Sequence, residues 1–455
     1  MKDRLMGALA KAQADYAEIR FETSDQNGIA FRGKELDSVS SSRYEGGVVR
    51  ACVRGGWGLS IFDSLSEVES HVAEACANAA LVGRERTQLA ALEPARRQPQ
   101  AACLNEDFRG VSFDHKLALL TRYNDIILKT DPAIESTMVS YGDLFRTVHF
   151  ASTRGVFFTE ERPRVVLYLV AVARDGQQVQ RASESFSSAT DFGVVRGREE
   201  VAGEIARRAL ALRRAPQVEG GRTTVILRPD FAGVFAHEAF GHLSEADFLY
   251  ENPKMRDLMV LGRPLGAKDL CIVDDGSRGQ LIGTQAFDDE GTPTQRTELI
   301  RDGVLAGHLH SLETAAKMGE QPTGNARAIG RGCAPIVRMT NTYIEPGPLT
   351  REQLFAGVDD GIYACGMMGG QTMMEMFTFS AAYGYRIHQG QIGELIRDIV
   401  VTGNVFETLH AIDGIADDLT LYELGGGCGK GGQSPLPVTF GGPHIRVRDV
   451  VVGGR

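Results

Sequence analysis

No apolar run in the sequence approaches the ~20 residues a membrane-spanning helix needs, so no membrane is expected as a partner. There is no C-x-x-C pair; the seven cysteines (52, 76, 103, 271, 333, 365 and 428) are odd in number and scattered. A disulfide framework is therefore not expected, and a reducing cytoplasm is the natural setting. Basic residues are the minority, 49 Lys plus Arg against 59 Asp plus Glu, for a net charge of −10. That speaks against nucleic acid as a partner, since phosphate backbones select a net basic face. The N-terminal stretch MKDRLMGALAKAQADYAE has no signal-peptide core, because Lys11 and Asp15 break its apolar run. It reads as an amphipathic helix.

What is abundant is glycine, 53 of 455 residues, with no G-x-y period. This predicts many turns and close backbone approaches in a globular chain long enough for two or three domains. From Tyr16 the chain alternates apolar and polar residues (YAEIRFE, GIAFRGKELDSVS, GGVVRACVRGGWGLSIF). Turn signals at Asn27-Gly28 and Gly46-Gly47 predict a meander of antiparallel strands. A helix follows over 63–83, with Ser64 and Glu67 spaced as a capping box. The stretch 86–112 reads as a connector, and a helix is predicted over 114–130, ended by Asp131-Pro132. Strands then return over 134–185, with a helix at about 195–214. Strands then helix, twice, predicts an N-terminal α+β domain over 1–215, built of antiparallel meanders with helices and two related halves, about 1–110 and 111–215. A Pro/Gly-containing break at 215–222 precedes a C-terminal domain over 222–455. Short strands and few helices predict a mainly antiparallel β barrel or sandwich there.

That second domain carries a conspicuous cluster. In PDFAGVFAHEAFGHLSEADFLY, beginning at Pro229, an apolar helix holds His237, Glu238 and His242. Two imidazoles with a Glu after the first suit a zinc hydrolase: the His nitrogens bind metal and the Glu takes a proton from water. The spacing is H-E-x-x-x-H rather than H-E-x-x-H. On a regular helix an i,i+4 pair lies ~40° apart, but an i,i+5 pair lies ~140° apart. Both imidazoles can therefore serve one metal only if the helix widens to a π turn or breaks, and Gly241 is where this costs least. A third ligand is needed, and spacing leaves Glu245, Asp247, His308, His310 and Cys428 all open.

HEAFGHLSEAD resembles the signature of the TldD/PmbA family, specifically its TldD-type zinc metallopeptidase branch. Supporting stretches follow in order: GNARAIGRG, RMTNTYIEPG and GGGCGKGGQSPLPVTFGGPHIRV. The resemblance implies one Zn2+ per chain held by His237, His242 and Cys428, with Glu238 as general base. It also implies a peptide substrate and a dimer, either a homodimer or a heterodimer with a PmbA-type paralogue. One departure is that CGKGGQ lacks the acidic residue often found two places after the Lys, so that position is given no role. Read by its residues alone, a Cys between glycines also suits a small side chain in a tight turn.

Arg327 in GNARAIG and Asn341 in RMTNTYI are candidates for contact with a substrate backbone, or for satisfying turn carbonyls. His308 and His310 alternate, so on a strand they would share one face, an arrangement also seen in residues that back metal ligands; a half-exposed strand face is the plainer reading. The methionines of MMGGQTMMEM suit a core or dimer surface. The expected activity is hydrolysis of short or unfolded peptides with loose specificity. Rival expectations are a non-catalytic or partner-dependent subunit, and a zinc amidase acting on a modified small molecule.

Overall fold

The alternating runs form one six-stranded antiparallel sheet in this computed structural model, which describes residues 1–454 apart from 86–87, 93–98 and 100. Part of the connector expected over 86–112 thus lies outside the described residues. The first three strands, Tyr16–Arg32, Glu35–Val53 and Gly56–Phe62, are mirrored by Ile134–Ser152, Phe157–Asp175 and Gln178–Ser188. The first strand of each set pairs with the other along nearly its whole length, Glu18 with Ser152 through Arg32 with Met138. Each set is preceded by a helix (Lys2–Leu9, Phe113–Lys129) and followed by one (Val68–Val82, Glu199–Arg214).

Alternation does what its period requires. Val165, Leu167, Leu169, Ala171 and Ala173 share one buried face with Leu120, Tyr123 and Ile127 of the helix before and Ile205 and Ala209 of the helix after. In the other half Ile19, Phe21, Val49 and Ala51 pack on Val68, Val72, Ala75 and Ala79.

Two turn assignments are corrected. Asn27-Gly28 and Gly46-Gly47 lie inside strands, and the chain reverses instead at Gly33 and at Arg54-Gly55, all three with positive φ. Gly46 is small because the Arg331 guanidinium crosses it, with Nη1 at 2.3 Å from where a Cβ would stand. The expected capping box is also unmade: Ser64 accepts from the Ser66 N–H, opening a 3₁₀ turn before the helix.

The C-terminal region is α+β with a barrel and not a sandwich. Strands Asp360–Met373, Gly221–Leu227, Ile445–Gly453, Val400–Asn404 and Met376–His388 pair in that order, and the last pairs back to the first. Closure removes free edges. One pair in the ring, Gly221–Leu227 with Asp360–Met373, is parallel. A second sheet ends in strand Asn341–Ile344, then Gln433–Gly442, then Thr420–Lys430 at its edge. The helices here are short, six or seven residues each at Pro229–Val234, Ala246–Glu251, Pro253–Leu258, Leu312–Met318, Arg351–Ala356 and Val405–His410.

A buried ionic junction ties this region to the N-terminal sheet. Asp288, Asp289 and Glu290 are at most 2% exposed. Asp289 meets Arg162 at 2.8 Å and Arg20 at 3.4 Å, and accepts the Ala328 N–H at 2.8 Å. Glu290 meets Arg50 and accepts the Leu312 N–H at 2.8 Å. Burial alone would raise the Asp289 carboxyl, but Arg162 and Arg20 outweigh it and hold the group at about 2. Removing one partner of such a pair strands the other charge and costs about 3–5 kcal/mol. Asp289→Asn should therefore lower stability by about that amount at pH 7 in urea unfolding. Because the folded value lies below the ordinary 3.8, the ionised Asp289 stabilises fully above that pH and progressively less as pH falls toward about 2. The gap between parent and variant should narrow over that window.

Candidate metal centre

Pro229 starts the motif helix, and Arg228 pairs with Asp230 across its first turn. The helix lies against strand Gln433–Gly442 so closely that a Cβ on Gly233 would stand 2.5 Å from the Gly441 backbone. From Phe235 to Gly241 the helix is a π-helix, and the His242 N–H reaches back five residues to the His237 carbonyl. This is the widening that the i,i+5 spacing demands. Gly241 itself has ordinary helical φ and ψ (−58°, −47°), so its smallness is not about backbone freedom. A Cβ there would stand 2.1 Å from Met339 Sδ. Space, then, explains the glycine.

The π turn brings the two imidazoles to a ring separation of 5.3 Å. Cys428 arrives from the edge strand Thr420–Lys430, whose pairing to Gln433–Gly442 is interrupted on both sides of Cys428↔Leu436. Gly427 has φ +61° and would clash with the Leu436 carbonyl if it carried a Cβ, so the bulge that presents the sulfur requires glycine. Arg338, fully buried, donates to the Cys428 carbonyl at 2.8 Å and fixes that bulge. Cys428 Sγ lies 3.4 Å from His242 Nε2. One ligand atom each of His237, His242 and Cys428 falls within 4.8 Å of the others. Glu238 faces the same space, Oε2 at 3.7 Å from His242 Nε2 and Oε1 at 4.0 Å from His237 Nε2. The Thr372 hydroxyl donates to the Glu238 carbonyl at 2.8 Å, tying the motif to the barrel.

The donor set fits zinc. His237 is buried, yet neither of its ring nitrogens has a hydrogen-bond partner among the described residues. An imidazole left bare at that depth is costly unless something unseen binds it. Burial alone would raise the Cys428 thiol, but His237 and His242 overcome it and bring it down to about 4, so it is a thiolate at neutral pH. Burial would likewise lower both imidazoles, and the nearby negative charges raise them instead: chiefly Cys428 for His237, and Glu245 with Cys428 for His242. A thiolate and two imidazoles held together in this way are a ligand set in which a cation replaces protons.

Glu245, open as a ligand on spacing, has another task. Its Oε2 lies 2.9 Å from His242 Nδ1, on the side of the ring away from Cys428. Lys430 holds the same Oε2 at 2.9 Å and reaches Asp247 at 2.7 Å. Burial would raise Glu245, but His242 and Lys430 pull it to about 2, keeping it an acceptor for the imidazole N–H. Only the nearness of an acid three residues after His242 hinted at this carboxylate–histidine pair. Lys430 had no such signal, because strand pairing alone brings it there.

Arg327 and Asn341, candidates for contact with a substrate backbone or for satisfying carbonyls, lie outside this cluster. Both are buried. Arg327 donates to the main-chain carbonyls of Met339 and Pro437, and Asn341 donates to the Asp275 carbonyl at 2.7 Å and to Thr284 Oγ1 at 2.9 Å. Both thus hold main-chain carbonyls, two of them in strands (Asp275 and Pro437). His308 and His310 are buried too, and not half-exposed.

Residues 220–454 match the PmbA/TldA metallopeptidase C-terminal domain, 106–213 its central domain and 17–80 its domain 1. The chain belongs to this family. It is 42% identical to a metalloprotease of Synechocystis sp. over 98% of this chain and 96% of that one. It is 29% identical to a zinc metalloprotease TldD homolog of Saccharolobus solfataricus over 97% of each chain. Its fold matches the crystal structure of TldE from Thermococcus kodakarensis with a TM-score of 0.79 at 19% identity, over the whole of both chains. No helix among the described residues is long and apolar enough to cross a membrane.

In a TldD/PmbA family member built this way, Glu245 sets the tautomer and angle of His242. Glu245→Gln should leave the fold intact and weaken zinc binding about 10–100-fold, measured by competition with a chromogenic chelator. Unchanged affinity would show that Glu245 plays no orienting part.

Proposed function

We propose that this chain is a zinc-dependent peptidase acting on short or unfolded peptides with loose sequence preference. One observation carries the reading: two imidazoles and a thiolate converge on one point, while a further carboxylate, Glu238, faces the same point. His237, His242 and Cys428 would hold one zinc ion. Zinc, when bound, supplies a Lewis acid for the scissile carbonyl and acidifies water. Glu238 takes the proton from the attacking water and returns it to the leaving amine. Its side chain is 28% exposed, against 4% for His237, so it stands where substrate arrives.

The substrate path is part of the same reading. A cleft of about 770 Å³ opens between two edge strands, Gln178–Ser188 of the N-terminal sheet and Thr420–Lys430, and its wall includes Gly427 beside Cys428. An extended peptide adds to a strand edge through main-chain hydrogen bonds, which read backbone more than side chain. A folded domain has most of its main chain already paired and cannot enter as a single extended strand. The units 1–215 and 222–455 would then be the two walls of the cleft, and the chain's place would be the cytoplasm. Glu238→Gln should keep its zinc while cleavage of a denatured protein falls about 10²–10⁴-fold. The parent should cut the denatured form at many sites and spare the native form. A Glu238→Gln chain as active as the parent would refute the mechanism, and equal cleavage of both forms would refute the specificity.

The assembly is proposed to be a dimer, homodimeric when expressed alone and open to a PmbA-type paralogue. Met373, Met374 and Met376, at the tip of the hairpin whose Thr372 braces Glu238, are 70%, 42% and 50% exposed and offer an adaptable apolar contact. Light scattering should give twice the 49.3 kDa chain mass at micromolar concentration. A stable monomer would contradict this.

A further inference from the structure

A second group of ligating side chains lies apart from the His–His–Cys cluster. His308 and His310 flank Leu309, and Glu320 follows the helix Leu312–Met318. His308 Nδ1 is 2.9 and 3.1 Å from the two oxygens of Glu320, and His310 Nε2 is 3.1 Å from one of them. One ligand atom from each residue lies within 4.8 Å of the other two.

The far sides of both rings are anchored. His308 Nε2 is 3.0 Å from the Met259 carbonyl, and His310 Nδ1 is 3.2 Å from Thr314 Oγ1. A carbonyl only accepts, so His308 Nε2 carries a hydrogen, and Nδ1 is the nitrogen that faces the carboxylate. What lies between that nitrogen and the carboxylate must be positive, a proton or a metal ion in its place. A metal-ligating histidine is held in just this manner, its other nitrogen fixed by a carbonyl or hydroxyl. The nitrogen–oxygen separations, 2.9 to 3.1 Å, are those of hydrogen bonds and need widen by only about 0.2–0.4 Å to reach the ~3.3 Å edge of a tetrahedron with ~2.0 Å bonds. Both imidazoles are buried, at most 2% exposed, while Glu320 is 21% exposed and leaves a side through which an ion and its water can reach the site.

We infer that His308, His310 and Glu320 form a second divalent-metal site, of nitrogen and oxygen donors only. Two imidazoles and one carboxylate select zinc, cobalt or nickel over magnesium and calcium, which prefer all-oxygen sets. The site would be structural. Between its two histidines, Leu309 donates to the Ser244 carbonyl at 2.8 Å and accepts the Ala246 N–H at 2.9 Å, which holds the segment carrying Glu245. An ion there fastens that segment to Met259. The inference does not rest on the peptidase reading.

Cobalt(II) titration of the full chain, stripped with chelator, separates the two sites. A thiolate ligand gives a sulfur-to-cobalt absorption band in the near ultraviolet, and a nitrogen–oxygen site does not. The parent should bind two equivalents, with the sulfur band saturating at one. Glu320→Gln should bind one equivalent and keep the whole band. Cys428→Ser combined with His237→Asn should bind one equivalent and show no band. A parent that saturates at one equivalent, all of it giving the band, overturns the inference, and so does a Glu320→Gln chain that still binds two. A parent that binds one equivalent without the band leaves this site standing and removes the His–His–Cys centre instead. Should either variant fail to fold, the parent's stoichiometry and band decide alone.

Discussion

The hydrogen bond from the His242 N–H to the His237 carbonyl, five residues back, is the constraint on which the centre depends. In a regular helix the two side chains would point ~140° apart and no single ion could meet both. The π turn rotates them into one space, and the surroundings hold the turn in place. Met339 fills the gap beside Gly241, strand Gln433–Gly442 presses on Gly233, and Thr372 of the barrel grips the Glu238 carbonyl. An irregular turn with poorer hydrogen-bond geometry persists only where packing leaves it no alternative.

Charge is arranged around that turn in layers. Glu245 backs His242, and Lys430 backs Glu245 while also reaching Asp247. Because Lys430 is two residues from Cys428 on the same strand, the sulfur and the outermost cation are placed by one element. Farther out, Asp289 and Glu290 meet Arg20, Arg50 and Arg162, so the N-terminal sheet and the C-terminal loops share buried ion pairs. Pairs of this kind contribute less net stability than their Coulomb attraction suggests. They do fix register: a shifted docking of the two regions would leave several buried charges unmatched.

The α+β class and the alternation of the long strands were legible because period two is a local property. The need for a widened helix was legible too, from the five-residue interval alone. Cys428 was not: it sits 186 residues from His242, and only tertiary folding joins them, so its place in the set came from family resemblance. Asn27-Gly28 misled because that pair serves a hairpin turn or a strand interior equally well, and the sheet here is wide enough to run on through it. The acids at 288–290 carry no sign of burial, since their partners lie far off in sequence. Arg327 and Asn341 sit in polar, glycine-rich stretches that resemble a binding loop, but fold inward to hold main-chain carbonyls.

A crystal structure of the zinc-loaded chain, with anomalous scattering measured at the zinc edge, tests the central claim most directly. The account predicts a peak bonded to His237 and His242 at about 2.0–2.1 Å and to Cys428 Sγ at about 2.3 Å, with the π turn intact. A regular α-helix through 235–241 with His237 turned away, or zinc-loaded protein with no peak among these three residues, would contradict it.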